Sequence, residues 1–201
     1  MALKVADGLR QLSESGTRVF FLHGNRDFMV GSEYCARAGM QLCQEPVAPD
    51  IQNPPTAMIH GDTLCTDDHA YQRFRRKVRD PAWQAKMRSR PLWWRRLLAR
   101  VARTISKRGN RGKPADIMDV NADAVAQCFR DLGTRRLIHG HTHRPGVHQI
   151  DIDGQPCERI VLGDWHGEVG SVCEITPQNA RLLRLHRNPA GHIELTPTQE
   201  T

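Results

Sequence analysis

Ile138-His139-Gly140-His141-Thr142-His143-Arg144-Pro145 decides the fold. It follows Arg135-Arg136-Leu137, so a short apolar run ends in a histidine and leaves through a glycine. Gly140 permits a tight turn, and His141 and His143 then stand two apart in a loop, where both imidazoles can face one side. Imidazole is a favoured donor for zinc, manganese and iron. A single histidine in such a loop is more often a surface residue. The pattern recurs twice, however. Val19-Phe20-Phe21-Leu22 runs into His23-Gly24-Asn25-Arg26-Asp27, and Ala57-Met58-Ile59 runs into His60-Gly61-Asp62. Ligands of open α/β sheets gather beyond the carboxyl ends of the strands. Three such ends predict a metal site assembled from Asn25, His60, His141 and His143.

The rest of the chain supports an α/β reading. A helix is expected over 1–12, a strand over 18–22 buried on both faces, a helix over 32–39 and a Pro-rich loop over 45–56. A strand at 57–60 follows. No strand signal appears between 67 and 132. Pro81 and Pro91 divide that stretch into short helices, and Asp116 or Asp119 is expected to cap the helix through Val120, Ala124, Val125 and Phe129. Strands return at 135–138, 147–152, 158–163, 171–175 and 180–185. Asp153-Gly154 is a hairpin turn signal, and 188–201 reads as a frayed polar tail.

Composition narrows the classes. The 201 residues, 39% hydrophobic, suffice for one core and a subdomain. No run approaches the ~18 apolar residues of a membrane span. The six cysteines form no Cys-x-x-Cys pair, which argues against a zinc knuckle and for free thiols in a reducing cytoplasm. Residues 73–113 hold 16 Lys and Arg against the one acid Asp80, net +15, while the remaining 13 basic and 21 acidic residues give −8. Such a split predicts an anionic partner for the middle segment.

At the level of motifs, Gly24-Asn25-Arg26-Asp27, His60-Gly61-Asp62 and Gly140-His141-Thr142-His143 resemble the later motifs of the calcineurin-like metallophosphoesterases. Longer strings, His60–Asp68 (HGDTLCTDD), Ile117–Asn121 (IMDVN) and Leu137–Pro145 (LIHGHTHRP), resemble the UDP-2,3-diacylglucosamine diphosphatase branch, which serves lipid A biosynthesis. The likeness runs from about Ala6 to about Arg187. It implies an αββα sandwich of the metallophosphoesterase type as one domain over 1–201, with a helical insertion at about 67–132. It implies a manganese-dependent pyrophosphohydrolase that releases UMP and 2,3-diacylglucosamine 1-phosphate. By motif position, Asn25, His60 and His141 would hold one metal and His143 the other. Asn25, Arg26, Asp68, Ser106, Asn110, Lys113 and His141 align with substrate-contacting positions, and His141 and Arg26 would serve catalysis. Family members begin with a strand ending in Asp-x-His and a Gly-Asp-x-x-Glu motif. This chain starts after them, so it is expected to lack the first strands of the fold and to hold one ion well, with doubtful activity. Asp67-Asp68-His69 and Gly163-Asp164 contain similar strings after the wrong elements and read as coincidences.

Other assignments are plainer. Asp27 is expected to hold its loop by hydrogen bonds, His23 and His139 to be structural, and Asp62 to orient a ligand histidine or to be a turn residue. His69, His148, His166, His186 and His192 read as surface residues, although His166 lies near a strand end. The basic segment, with Trp93, Trp94, Leu97, Leu98, Val101 and Ile105 among its arginines, fits a solvated face, a nucleic-acid surface or a lid on lipid. The resemblance favours the lid, on the anionic inner membrane of a Gram-negative bacterium. It predicts a lipid-linked UDP-sugar as substrate, a cytoplasmic, peripheral location, and neither nucleic acid nor an obligate protein partner. The rivals are a metallophosphoesterase acting on other nucleotides or phosphodiesters, and an inactive basic lipid- or nucleic-acid-binding protein.

Overall fold

A computed structural model describes residues 2–49, 54–110, 119–176 and 179–198, with the side chains at 103 and 105–110 outside that set. The chain divides into two compact units. The first comprises residues 1–62 and 125–201, the second 63–124.

Among the described residues the first unit contains three sheets. α1 (Ala2–Glu14) and α2 (Ser32–Arg37) accompany β1 (Val19–Leu22) and β2 (Met40–Cys43), which pair in parallel. A four-stranded sheet follows, in the order β3-β4-β6-β5, from β3 (Thr56–Ile59), β4 (Arg136–His139), β5 (Gly146–Ile152) and β6 (Gln155–Val161). β3, β4 and β6 run parallel, and β5 closes the edge antiparallel. The third sheet is antiparallel, β7 (Val169–Ile175), β8 (Ala180–Arg187) and β9 (Ile193–Pro197). The architecture is therefore the mixed α/β one that the sequence predicts.

β4 is buried at all four positions, as a central parallel strand should be. Its one charged residue, Arg136, stands in register with Glu158 of β6 and pairs with its carboxylate. The core lies between sheets. Ile138, Ile160 and Leu182 are buried together, with Met58, Val147, Leu162, Cys173, Ile175 and Ala180 packed around them. Each such aliphatic side chain contributes about 1.5–3 kcal/mol by leaving water. The β5–β6 hairpin turns at Asp153 and Gly154, both with positive φ, 56° and 76°. That is the geometry a two-residue hairpin with right-handed strand twist requires.

The second unit is helical. A 3-10 turn (Asp62–Leu64) leads to α3 (His69–Arg79), α4 (Pro81–Arg88) and α5 (Leu92–Asn110). Asp68 caps α3 by accepting from the Tyr71 N–H at 3.0 Å, and Asp80 caps α4 by accepting from the Trp83 N–H at 2.7 Å. Pro81 occupies the first turn of α4, where its missing N–H costs nothing. α6 (Ala122–Leu132) leads back toward β4. No helix among the described residues is long and apolar enough to cross a membrane.

Three expectations need correction, and one strand has no signal in the sequence. β1 is not buried on both faces: Phe20 is 51% exposed, because β1 has only β2 as a paired neighbour among the described residues. β2 itself went unread, since Met40-Gln41-Leu42-Cys43 is too short to show a period. The tail over 188–201 is not all frayed, for β9 pairs with β8 from Leu183↔Pro197 to Arg187↔Ile193. The cap of α6 is Asn121, whose Oδ1 accepts from the Ala124 N–H at 3.0 Å. Asp119 instead accepts from the Val120 N–H, and Asp116 lies outside the described residues.

Candidate metal centre

The site lies in the first unit, at the carboxyl ends of β3, β4 and β6. β3 and β4 are in register at Ile59↔His139, and the ladder continues past their ends through the Gly140 N–H to the His60 carbonyl at 3.0 Å. Gly61 makes this approach possible. Its φ is +103°, and a Cβ there would stand 2.8 Å from His139 Nδ1. The two turns therefore face each other, and the His60 and His141 rings meet edge to face with centroids 5.0 Å apart. His141 and His143 both have positive φ, 70° and 56°. For residues with a Cβ this conformation is strained by about 1–3 kcal/mol each. The Thr142 N–H closes the turn on the Gly140 carbonyl at 2.9 Å.

Burial, with the neighbouring His60, His143 and His139, lowers the His141 pKa from 6.5 to about 4, against the pull of the Asp62 carboxylate. Its imidazole is therefore neutral at physiological pH, the form that binds a metal. Asp62 is fully buried. Asn25 reaches His60 through its backbone, the Asn25 N–H donating to His60 Nε2 at 3.2 Å. Glu45 accepts from the His60 N–H at 2.6 Å.

His23, His139 and Asp27 take the structural roles expected of them. His139 is 1% exposed. Its Nδ1 lies 2.9 Å from the Gly140 carbonyl and its Nε2 3.2 Å from the Arg159 guanidinium. Together these favour the tautomer with the proton on Nδ1. His23 Nε2 lies 2.7 Å from the Val30 carbonyl. Asp27 accepts from the Gly24 N–H at 2.6 Å and offers its carbonyl to the Val30 N–H. Arg26 is exposed.

The other predicted residues are placed differently. His143 does not stack with the pair. Its Nδ1 lies 3.5 Å from Asp164 Oδ2, and the same oxygen pairs with His166 Nδ1. Asp164 and His166 are thus partners that the sequence reading set aside. Their signal was present, because Val161-Leu162-Gly163-Asp164 is a fourth apolar strand end followed by glycine and a polar residue. Glu45 carries no comparable signal. Asp68 lies in the second unit as the cap of α3, with His69 exposed beside it. Ser106 and Asn110 fall on α5 with side chains outside the described set, and Lys113 lies outside the described residues.

Among the described residues no three His, Cys, Asp or Glu side chains converge closely enough to hold an ion by themselves. In donor type, imidazole nitrogens and the amide oxygen of Asn25 suit a mid-row divalent cation, since they are ligands that add no negative charge to repel a phosphate.

A sheet that delivers histidine turns from adjacent strand ends gathers nitrogen donors of the kind a divalent metal takes. The relatives are named as hydrolases. The chain is 48% identical over 161 residues to the UDP-2,3-diacylglucosamine hydrolase of Pseudomonas aeruginosa strain UCBPP-PA14, covering 80% of this chain and 67% of that protein. It is 48% identical over 164 residues to the protein of that name from Aromatoleum aromaticum, covering 82% and 67%. For the one from Marinobacter nauticus the figures are 44% over 166 residues, 83% and 68%. The chain belongs to the UDP-2,3-diacylglucosamine hydrolase family, and it spans about two thirds of the length of these relatives. No family model matches it. Among solved structures, wild-type Vps29 of Entamoeba histolytica complexed with zinc aligns over 96% of this chain and 86% of that one, at TM-score 0.38 and 13% identity.

Proposed function

We propose that this chain hydrolyses the pyrophosphate of UDP-2,3-diacylglucosamine, yielding UMP and 2,3-diacylglucosamine 1-phosphate in lipid A biosynthesis. The observation that carries this reading is the identity of 44–48% across four fifths of the chain to proteins named for that substrate. Asn25, His60 and His141 hold one manganese ion and His143 serves a second, more weakly held one. A divalent ion there supplies Lewis acidity toward a phosphoryl oxygen. The residues do the rest. Asn25 and Arg26 take the pyrophosphate, Arg26 through its planar guanidinium. His141 remains neutral and keeps its lone pair for the ion. Asp68, Ser106, Asn110 and Lys113 are further substrate-contacting residues in this reading. Leu92, Trp93, Leu97 and Val101 of α5 are exposed, at 53, 67, 53 and 47%. With the surrounding arginines they suit acyl chains and an anionic lipid surface, and a peripheral position on the cytoplasmic side of the inner membrane is part of the same proposal.

The test compares UMP release from UDP-2,3-diacylglucosamine with cleavage of a generic aryl phosphodiester, in manganese. Preferred release of UMP supports the reading. Preferred cleavage of the aryl ester assigns the chain to another phosphoesterase activity, and no metal-dependent turnover of either favours a binding role. His141→Ala should lower turnover by about a hundredfold, the upper end of what loss of a ligand's support alone costs, whereas His148→Ala on the exposed face of β5 should be nearly silent.

A further inference from the structure

We propose that Asp164 is a positioning residue for His143: its carboxylate holds the imidazole in the tautomer that leaves Nε2 free for a divalent cation. The inference rests on the reading of His143 as a metal ligand, and goes beyond it to a residue on a different strand.

The placement follows from topology. β4 and β6 are parallel neighbours in register at His139↔Val161, and the Leu162 N–H continues their ladder to the His139 carbonyl at 2.7 Å. The loops that leave them therefore run side by side. Gly163 lets them close. A Cβ at Gly163 would meet Ser171 Cβ at 3.2 Å and Pro145 Cγ at 3.4 Å, so the 162–164 segment already lies in close contact with the loop that carries His143. With glycine in place, Asp164 Oδ2 comes to 3.5 Å from His143 Nδ1. The positive φ of His143 fixes the backbone on the other side of the contact.

The chemistry follows from the two ring nitrogens. A neutral imidazole carries one proton, and its position is set by whichever nitrogen has an acceptor. A carboxylate at Nδ1 draws the proton there and leaves the lone pair on Nε2. Histidine ligands commonly have such a carboxylate behind them, and its loss typically weakens metal binding 10–100-fold. His166 Nδ1 faces the same oxygen, so it competes with His143 for this acceptor. His166 makes the closer contact of the two, and its side chain is 80% exposed. Removing it should leave Asp164 wholly to His143.

Nitrogen-15 NMR of the imidazoles in metal-free protein reads the tautomer directly, at a pH well above the ordinary imidazole pKa of ~6.5. Wild type and His166→Ala should show His143 with its proton on Nδ1, and Asp164→Ala should move it toward Nε2. Manganese titration of the same proteins should show weakening of about tenfold or more in Asp164→Ala, no weakening in His166→Ala, and partial recovery in Asp164→Glu. Asp164→Ser, polar but too short to reach the ring, gives the same readings if the alanine variant fails to fold. An unchanged His143 tautomer in Asp164→Ala and Asp164→Ser overturns the proposal alone. Unchanged manganese affinity in His143→Ala overturns the reading of His143 as a ligand, and the proposal with it.

Discussion

His141 is the residue at which sequence pattern, backbone strain and electrostatics coincide. Its pKa is lowered to about 4 by burial and by three neighbouring imidazoles. The unfolded chain takes up a proton at this residue near pH 6.5, while the folded chain does not until about pH 4. The contribution of this group to stability is therefore complete above pH 6.5 and is lost as the pH falls from 6.5 to about 4. Metal-free protein should show a His141 NMR titration midpoint near 4. Its urea midpoint should fall more between pH 7 and pH 4.5 in wild type than in His141→Gln. Equal falls would mean that the ring is solvated. His60 and His141 could be read from the sequence because each follows an apolar run and precedes or follows a glycine. Glu45 could not, because its contact with the His60 N–H spans 15 residues out of a Pro-rich loop with no period. Asp164 shared the readable pattern but carried a different residue at the histidine position. Knowing which strand lay beside β4 was needed to give it meaning, and chain order does not reveal that β6 takes this place.

Among elements, the apolar parallel strands and the strongly amphipathic helices were legible, and the short or edge elements were not. β2 and β9 are held mainly by pairing with β1 and β8, and neither has a buried face with a clear alternation; β9 is exposed throughout. α6 shows how a cap is chosen among nearby candidates. Asn121 stands immediately before the first helical residue, which puts its Oδ1 within reach of the Ala124 N–H, whereas Asp119 lies two residues too early. α3 offers a prediction that separates a structural from a functional role. Asp68 caps this helix, and its alanine variant should lose about 1 kcal/mol of stability. Serine is as good a cap but has no carboxylate. Asp68→Ser should keep the thermal midpoint while raising KM for the lipid-linked nucleotide. An unchanged KM would leave Asp68 with the cap as its whole function.

On the scale of the whole molecule, charge is segregated along the chain, with +15 in residues 73–113 and −8 elsewhere. Vesicle cosedimentation should therefore favour anionic over neutral lipid, fall as salt screens charge beyond ~10 Å at 0.1 M, and fall further in Trp93→Ala. Binding that ignores lipid charge would refute the surface role of α5. The placement of the six free cysteines has a different consequence. Cys35, Cys65 and Cys157 are buried, and burial pushes the Cys173 thiol up to about 11. At pH 8 only about one Cys173 in a thousand is a thiolate, the reactive form. Cys173 is half-buried, so alkylating reagents react with it slowly in the folded chain, and the rate of labelling reads how far folding suppresses its thiolate. Mass spectrometry of timed labelling should show Cys173 lagging far behind an unfolded control and catching up as urea loosens the fold, so the chain carries its own native reporter of the packing around the β7–β8 hairpin.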